Sequence, residues 1–239
     1  MAGTDGVIAW GVLRARARLY TGGAWLPGQG GDGRCACCQG PSRASHARCF
    51  HCAQHAESAP GMLADAVAPV AYAPKGSRLA RDLWLYKSGR PGSQDAAAAL
   101  LGLLLVFLQD RGHRVWQRAG MPVPTHACVV PSGRDRPGPH PLRALVSGCI
   151  ALPWVQLQPC EPGSPGDRAL DPDRFFAPEP LPGAHVLLLD DTWTSGGSAQ
   201  SAAVALKRAG ARSVAVVVLG RHLSAGTRWP GVPVPGGQP

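Results

Sequence analysis

The most constraining stretch of the sequence lies near its C-terminal end. His185 to Leu189 reads as a continuous apolar run, and Val214 to Leu219 is a second one. Runs of this length and composition fit strands buried on both faces. Between them, Ala199 to Ala209 carries Ala202, Ala203, Leu206 and Ala209 at helical spacing, and Gly210 supplies the C-terminal stop. Strand, helix and strand at this separation make one crossover unit, which joins parallel strands. An α/β fold with a mostly parallel sheet and flanking helices follows. Thr192 to Ser198 reads as the turn that joins the first strand to the helix.

The rest of the chain supplies partners for that unit. Val7 to Leu19 has helical periodicity, and the Gly-rich run from Gly22 to Gly33 reads as a linker. Val67 to Tyr72 reads as a strand, and Ser77 to Tyr86 as a helix with Leu79, Leu83 and Tyr86 on one side. A basic turn, Lys87 to Gly92, leads to a helix capped by Ser93 and running to about Arg111. Ala127 to Val130 is a strand, Pro141 to about Ala151 a helix, and Trp154 to Leu157 a strand. Pro159 to Pro182 is mostly loop, and the Pro- and Gly-rich tail from Trp229 reads as disordered. The expected organisation is an arm and linker over 1–33, a cysteine module over 34–60, a main domain over 61–222 and a tail over 223–239.

Composition excludes several classes. Hydrophobic residues make up 45% of the 239, which supports a core and argues against global disorder. No apolar run reaches the roughly 20 residues of a membrane span, and Ala96 to Leu108 reads as a buried helix. The N-terminal segment has no basic stretch followed by an apolar core, so a soluble, cytoplasmic protein is expected. Net charge is +9, and eleven Lys and Arg against four Asp lie between Lys75 and Arg143. That balance favours an anionic partner, either a polyphosphate or nucleic acid.

The turn after the first apolar run combines two chemistries. Asp190 and Asp191 stand where the strand ends, at the sheet edge on which open α/β sheets bind ligands. Thr194, Ser195, Gly196, Gly197 and Ser198 follow, and then the helix begins. Hydroxyls, backbone N–H groups and the helix N-terminus cradle an anion. Two carboxylates beside a phosphate cradle suit a sugar phosphate, with the acids accepting ribose hydroxyls. The segment lacks the Gly-Lys-Ser/Thr of a nucleotide P-loop, and its acids precede the glycines, unlike a dinucleotide fingerprint. The alternative is an ordinary strand-to-helix turn with Thr194 as its N-cap.

Cys35-x-x-Cys38 and Cys49-x-x-Cys52 form two knuckles separated by ten residues. Each presents two thiolates, and four make a closed tetrahedral zinc site with a structural role. Cys37, His46, His51 and His55 are nearby substitutes for a ligand. Cys128, Cys149 and Cys160 lie in apolar or loop settings and read as inert.

The segment Val186 to Ser198 resembles the 5-phosphoribosyl-1-pyrophosphate (PRPP) signature of type I phosphoribosyltransferases: four apolar residues, two acids, two further residues, then a hydroxyl- and glycine-rich turn. Thr192 and Trp193 stand where aliphatics are usual, and Ser195 and Ser198 replace commoner threonines. A four-cysteine module ahead of this signature resembles the ComF family of competence-associated phosphoribosyltransferase-like proteins. Leu85 to Gly89, Val129 to Pro131, Arg134 to Leu145 and the aromatics Phe175 and Phe176 carry looser parts of the likeness. Gly138 to Leu142 (Gly-Pro-His-Pro-Leu) departs from the family's Gly-Phe-Asn-Gln.

The resemblance implies a type I phosphoribosyltransferase fold, PRPP bound with magnesium, and displacement of pyrophosphate by an amine or base. It implies that Asp190 and Asp191 hold the ribose hydroxyls and that Thr194 to Ser198 hold the 5-phosphate. Lys87, with Arg90, would neutralise pyrophosphate; the other reading of Lys87 is a solvated turn residue. Trp193 is bulky enough to narrow the site or stack on it. His140 as proton acceptor, and Arg134, Arg136 and Arg143 as anion contacts, stand beside plain structural readings. Two rivals to an enzyme remain: a non-catalytic PRPP sensor, and a single-stranded-DNA binder. The aromatics available for base stacking, Trp84, Tyr86, Trp116 and Trp154, are sparse for the latter.

Overall fold

The computed structural model describes residues 10–21, 33–43, 45–132, 139–160 and 169–224. The residues of the Gly-rich run over 22–32, the basic loop with Arg134, Arg136 and Gly138, and the tail from 225 onward lie outside the described residues. In chain order the elements are α1 (Trp10–Thr21), α2 (Phe50–Ser58), β1 (Ala66–Pro74), α3 (Arg78–Leu85), α4 (Ser93–Arg118), β2 (His126–Val129) and α5 (Pro141–Val146). Then follow β3 (Trp154–Val155), β4 (Gln158–Pro159), β5 (Phe175–Phe176), β6 (His185–Trp193), α6 (Gly197–Arg208) and β7 (Ser213–Leu223).

Five strands form one parallel sheet in the order β1-β7-β6-β2-β3. β4 and β5 form a separate antiparallel pair. The two long apolar runs sit side by side in the middle, with Leu187 opposite Ala215 and Leu189 opposite Val217. Alternation then divides the core into two layers. Leu187, Leu189, Ala215, Val217 and Leu219 share one cluster with residues of α1, α3, α4 and α5. Val186, Leu188, Val214, Val216 and Val218 share the other with α6 and with Cys35, Cys38 and Cys52. The cysteine segment is therefore packed into the same core as the second face of the sheet. β1 lies at one edge of the described sheet, where its Pro69 and Pro74 are tolerated.

Several boundaries differ from the sequence expectation, each for a local reason. α4 starts one residue after Gly92, which has φ +83° and serves as N-cap in place of Ser93. It continues past Arg111 to Arg118: Val115 is still buried, and Gly112 is carried within the helix without ending it. At 26 residues it is long and apolar enough to cross a membrane by length and composition. Here Leu100, Leu103, Leu104 and Phe107 of this helix are buried in the core beneath β1 and β7. α5 stops at Val146, with Gly148 just beyond it. The largest difference concerns β6. The strand does not end at Leu189 but runs through both acids to Trp193, because β7 extends to Leu223 and keeps pairing: Asp190 with Val218, Thr192 with Gly220, Trp193 with Arg221. The expected seven-residue turn therefore shrinks to Thr194, Ser195 and Gly196 before α6.

Candidate ribose-phosphate site and metal centre

The two acids occupy the C-terminal part of the central strand β6, and the loop and the N-terminus of α6 follow at once. Asp191 is held from the α3 side of the sheet. Lys87 Nζ donates to Asp191 Oδ2 at 2.6 Å, and the Tyr86 hydroxyl donates to the same oxygen at 2.7 Å. Tyr86 is the C-cap residue of α3, so the helix end delivers both donors together. Ser77 starts that helix by accepting from the Ala80 N–H. Lys87 is thus a partner of the acid pair and not a solvated turn residue. Arg90 instead lies over the Trp84 ring at 4.9 Å.

The acids differ electrostatically although they are neighbours. Burial pushes the Asp190 carboxyl up to about 8, and the nearby Asp191 charge adds to this. Burial also pushes Asp191 up, but the Lys87 charge and the hydrogen bonds from Lys87, Tyr86 and Thr192 outweigh it. They hold Asp191 below the ordinary carboxylate range. The two neighbouring carboxyls are therefore shifted in opposite directions, Asp190 up and Asp191 down. The Asp190 Oδ1 accepts from the Asp191 N–H at 2.8 Å, which fixes its rotamer.

The loop is shaped by Trp193 and Gly196. Trp193 is fully buried, in the core layer shared by α6 and the cysteines. It does not narrow or stack on a ligand site. Gly196 is the N-cap of α6 with φ +91°, and a Cβ there would stand 2.1 Å from the Trp193 ring. Both the backbone and the indole demand glycine. Gly196, not Thr194, therefore caps the helix. Thr194 is exposed, Ser195 is buried, and the Gly197 N–H approaches the Ser195 Oγ at 3.4 Å. The Ser198 Oγ accepts from Arg174 at 3.1 Å. Arg174 brings a cation to this end of the loop, and nothing in its Pro- and Gly-rich surroundings signalled it. Tyr86 was visible only as an apolar helix position. Arg143 stacks on Trp154 at 3.5 Å, and burial lowers its pKa. His140 stands at the N-cap of α5.

The cysteines form the second centre. The Sγ atoms of Cys35, Cys38, Cys49 and Cys52 all lie within 4.8 Å of one another, and none is in a disulfide. Cys38 and Cys49 are 3.7 Å apart. A tetrahedral ion with sulfur at about 2.3 Å needs sulfurs about 3.8 Å apart, so the donor set fits zinc. Cys37, His46, His51 and His55 stand outside this four-sulfur group. The first knuckle turns through Gln39, which has φ +56°, while the Cys35 N–H donates to the Gly40 carbonyl and the Gln39 N–H to the Cys35 carbonyl. The second opens α2 at Cys49. With four protein sulfurs no position stays open for substrate, so an ion here would be structural. Elsewhere, burial pushes the Cys128 thiol up to about 12, in keeping with an inert residue.

No protein-family model matches the chain, and no curated protein does. Among solved structures, the chain is similar to adenine phosphoribosyltransferase from Leishmania tarentolae. Identity is 14%, the TM-score is 0.35, and the likeness covers 53% of this chain and 71% of that one. It is also similar to purine phosphoribosyltransferase from Pyrococcus horikoshii, with 14% identity, a TM-score of 0.29, and 56% and 90% of the two chains covered.

Proposed function

We propose that this chain binds PRPP through the end of β6 and the loop that follows, and transfers its phosphoribosyl group to an amine or base with release of pyrophosphate. The observation that carries the reading is the continuous course of one central parallel strand through two acids into a hydroxyl- and glycine-rich turn and the N-terminus of a 12-residue helix. Asp190 and Asp191 would accept the ribose hydroxyls. Ser195, Gly197 and Ser198, with the helix terminus and Arg174, would hold the 5-phosphate.

The chemistry asks little of a general base. The transition state has oxocarbenium character and the leaving group is highly charged, so positioning and charge neutralisation dominate. Asp191, kept ionised by Lys87, supplies negative charge near the ribose. Asp190, with its raised pKa, can keep a proton and so donate as well as accept. Lys87 is shared: to reach pyrophosphate, its Nζ must exchange at least part of its bond to Asp191. Magnesium, held chiefly by PRPP itself, would neutralise the diphosphate. Zinc on Cys35, Cys38, Cys49 and Cys52 would be structural. The ComF likeness, a role in competence and a cytoplasmic location belong to the same proposal.

Calorimetric titration of the zinc-loaded protein with PRPP and magnesium tests it, alongside Asp190→Asn/Asp191→Asn. We expect binding by the wild type and a loss of about 100-fold or more in the double variant, since charge-assisted hydrogen bonds contribute about 1.5–3 kcal/mol each. No binding by folded wild-type protein would overturn the proposal. Salt-sensitive binding of single-stranded DNA in its place would favour the nucleic-acid reading. Binding without pyrophosphate release across amine and base acceptors would favour a sensor.

A further inference from the structure

Arg221 connects the two centres. It sits in β7, buried to 7% exposure, as the cationic continuation of an apolar strand. Its Nη1 donates to the Trp193 carbonyl at 3.1 Å, the Thr194 carbonyl at 2.9 Å and the His222 carbonyl at 2.8 Å. Two of these acceptors open the loop that leads to Ser195 and Ser198. The other face of the guanidinium lies against the first cysteine knuckle. A Cβ on Gly40 would meet Arg221 Nη2 at 2.4 Å, Nε at 2.7 Å and Cζ at 2.8 Å. Gly40 has no positive φ, so it is glycine for close approach and not for backbone freedom. Its carbonyl accepts from the Cys35 N–H, which places Arg221 directly beneath the turn that presents Cys35 and Cys38.

The chemistry of the two neighbours suits a cation between them. Four thiolates on one divalent ion carry net negative charge, and the Trp193 and Thr194 carbonyls are strong acceptors. A planar guanidinium can face both, which a lysine ammonium cannot do with the same geometry. A second strut runs in parallel. Gln200, fully buried near the start of α6, accepts from the Ala64 N–H at 2.9 Å and reaches Cys37 Sγ with its Nε2 at 4.0 Å. The knuckle thus touches both ends of the loop: its start through Arg221, and its exit into α6 through Gln200.

We infer that Arg221 is a positioning residue that couples metal occupancy of the four-cysteine centre to the geometry of the Thr194–Ser198 loop. When the knuckle is ordered by its ion, Gly40 clamps the guanidinium on the two carbonyls. When the ion is lost, the clamp relaxes and the loop loosens. The importance of this coupling for PRPP rests on the function proposed above; the coupling itself does not.

Hydrogen exchange on the full-length, zinc-loaded chain reads the coupling without any ligand. Removing zinc with a chelator should raise exchange of the amides over 194–200 at least tenfold, while β7 amides from Val214 to Leu219 stay protected. Arg221→Met, with zinc still bound at one per chain, should raise the same amides to a similar degree, and chelation should then add little. If Arg221→Met does not fold, or chelation unfolds the sheet as a whole, Gly40→Ala decides. It keeps the guanidinium but pushes it away from the knuckle, and should loosen 194–200 with zinc retained. Unchanged exchange over 194–200 in a folded, zinc-loaded Arg221→Met or Gly40→Ala protein overturns the inference. PRPP titration separates the two claims. If wild type binds PRPP, either variant should weaken it about tenfold with the metal still in place. If wild type does not bind but the exchange results hold, the functional proposal fails and the coupling stands.

Discussion

The metal centre and the acid pair solve the same problem, gathering charged groups in one place, over very different lengths of chain. Cys38 and Cys49 meet across a separation of eleven residues, within two short knuckles whose turns are closed by their own backbone hydrogen bonds. Lys87 and Asp191 meet across 104 residues, and they do so only because α3 packs on the face of the sheet that Asp191 overlooks. An ion on the four sulfurs would add to the packing that already buries Cys35, Cys38 and Cys52. The acid pair draws its geometry from the burial of β6 and β7. A local centre is therefore expected to fail locally, and a long-range one to fail with the packing around it.

The largest effect should come from the local centre. Cys35→Ser/Cys38→Ser should abolish zinc binding, measured as metal content, and remove a contribution on the order of 10 kcal/mol to ordering the cysteine segment. Exchange protection should be lost over 35–58 and kept in β6 and β7 below their C-terminal ends. Loss of protection throughout the sheet would break the contrast between the two regions. Next is Gly196→Ala, which forces a Cβ into a left-handed conformation and onto the Trp193 ring. It should cost about 3 kcal/mol in denaturant unfolding, with zinc content unchanged.

Lys87→Met should cost about 1–2 kcal/mol. That is less than the loss of one partner from a fully buried pair, because the Lys87 side chain is 26% exposed. It should also raise the Asp191 pKa toward ordinary carboxylate values, seen by NMR titration of the carboxyl carbon. A smaller loss, about 1 kcal/mol, is expected for Tyr86→Phe, which removes one hydrogen bond from the same oxygen.

The finest distinction is between the adjacent acids. Asp190 has a raised pKa when folded, so the folded state holds more protons than the unfolded state between about pH 4 and about 8. Its contribution to stability is full below that window and falls as pH rises through it, by at most about 1.4 kcal/mol per pH unit. Asp191 has the opposite sign: its contribution is present above the ordinary carboxylate pKa and is lost as pH falls through its depressed value. Unfolding of wild type and Asp190→Asn at saturating zinc, compared from pH 5 to 8, isolates the first effect. The wild type should lose stability relative to the variant as pH rises, and parallel profiles would refute the assignment.

Much was legible in the chain because short-range rules govern it. The spacing of Cys35, Cys38, Cys49 and Cys52 named the four-sulfur group, since a knuckle's geometry is contained in its own turn. The two apolar runs and the helix between them determined a parallel crossover, because continuous burial and connection length leave few other folds. The position of Asp190 and Asp191 at a strand's carboxyl end followed from the same pattern. Composition alone identified neither Arg174 nor Arg221 as a partner of the loop.

Contacts between distant segments set the rest. β6 could be read to Leu189 by hydropathy, but its continuation through two acids depended on β7 offering paired backbone as far as Leu223. Trp193 looked like an obstruction at a binding loop, yet the extra strand residues turn it into the core, where Gly196 makes room for it. Lys87 sits in a basic turn by sequence, and its place 2.6 Å from Asp191 depends on α3 packing against the sheet. Arg221 could be seen as a charge after an apolar strand, but not as the contact between the cysteine knuckle and the loop. In each case the deciding partner lies far away in sequence, and hydrogen-bond and ion-pair forces act over a few ångströms of space with no regard for position along the chain.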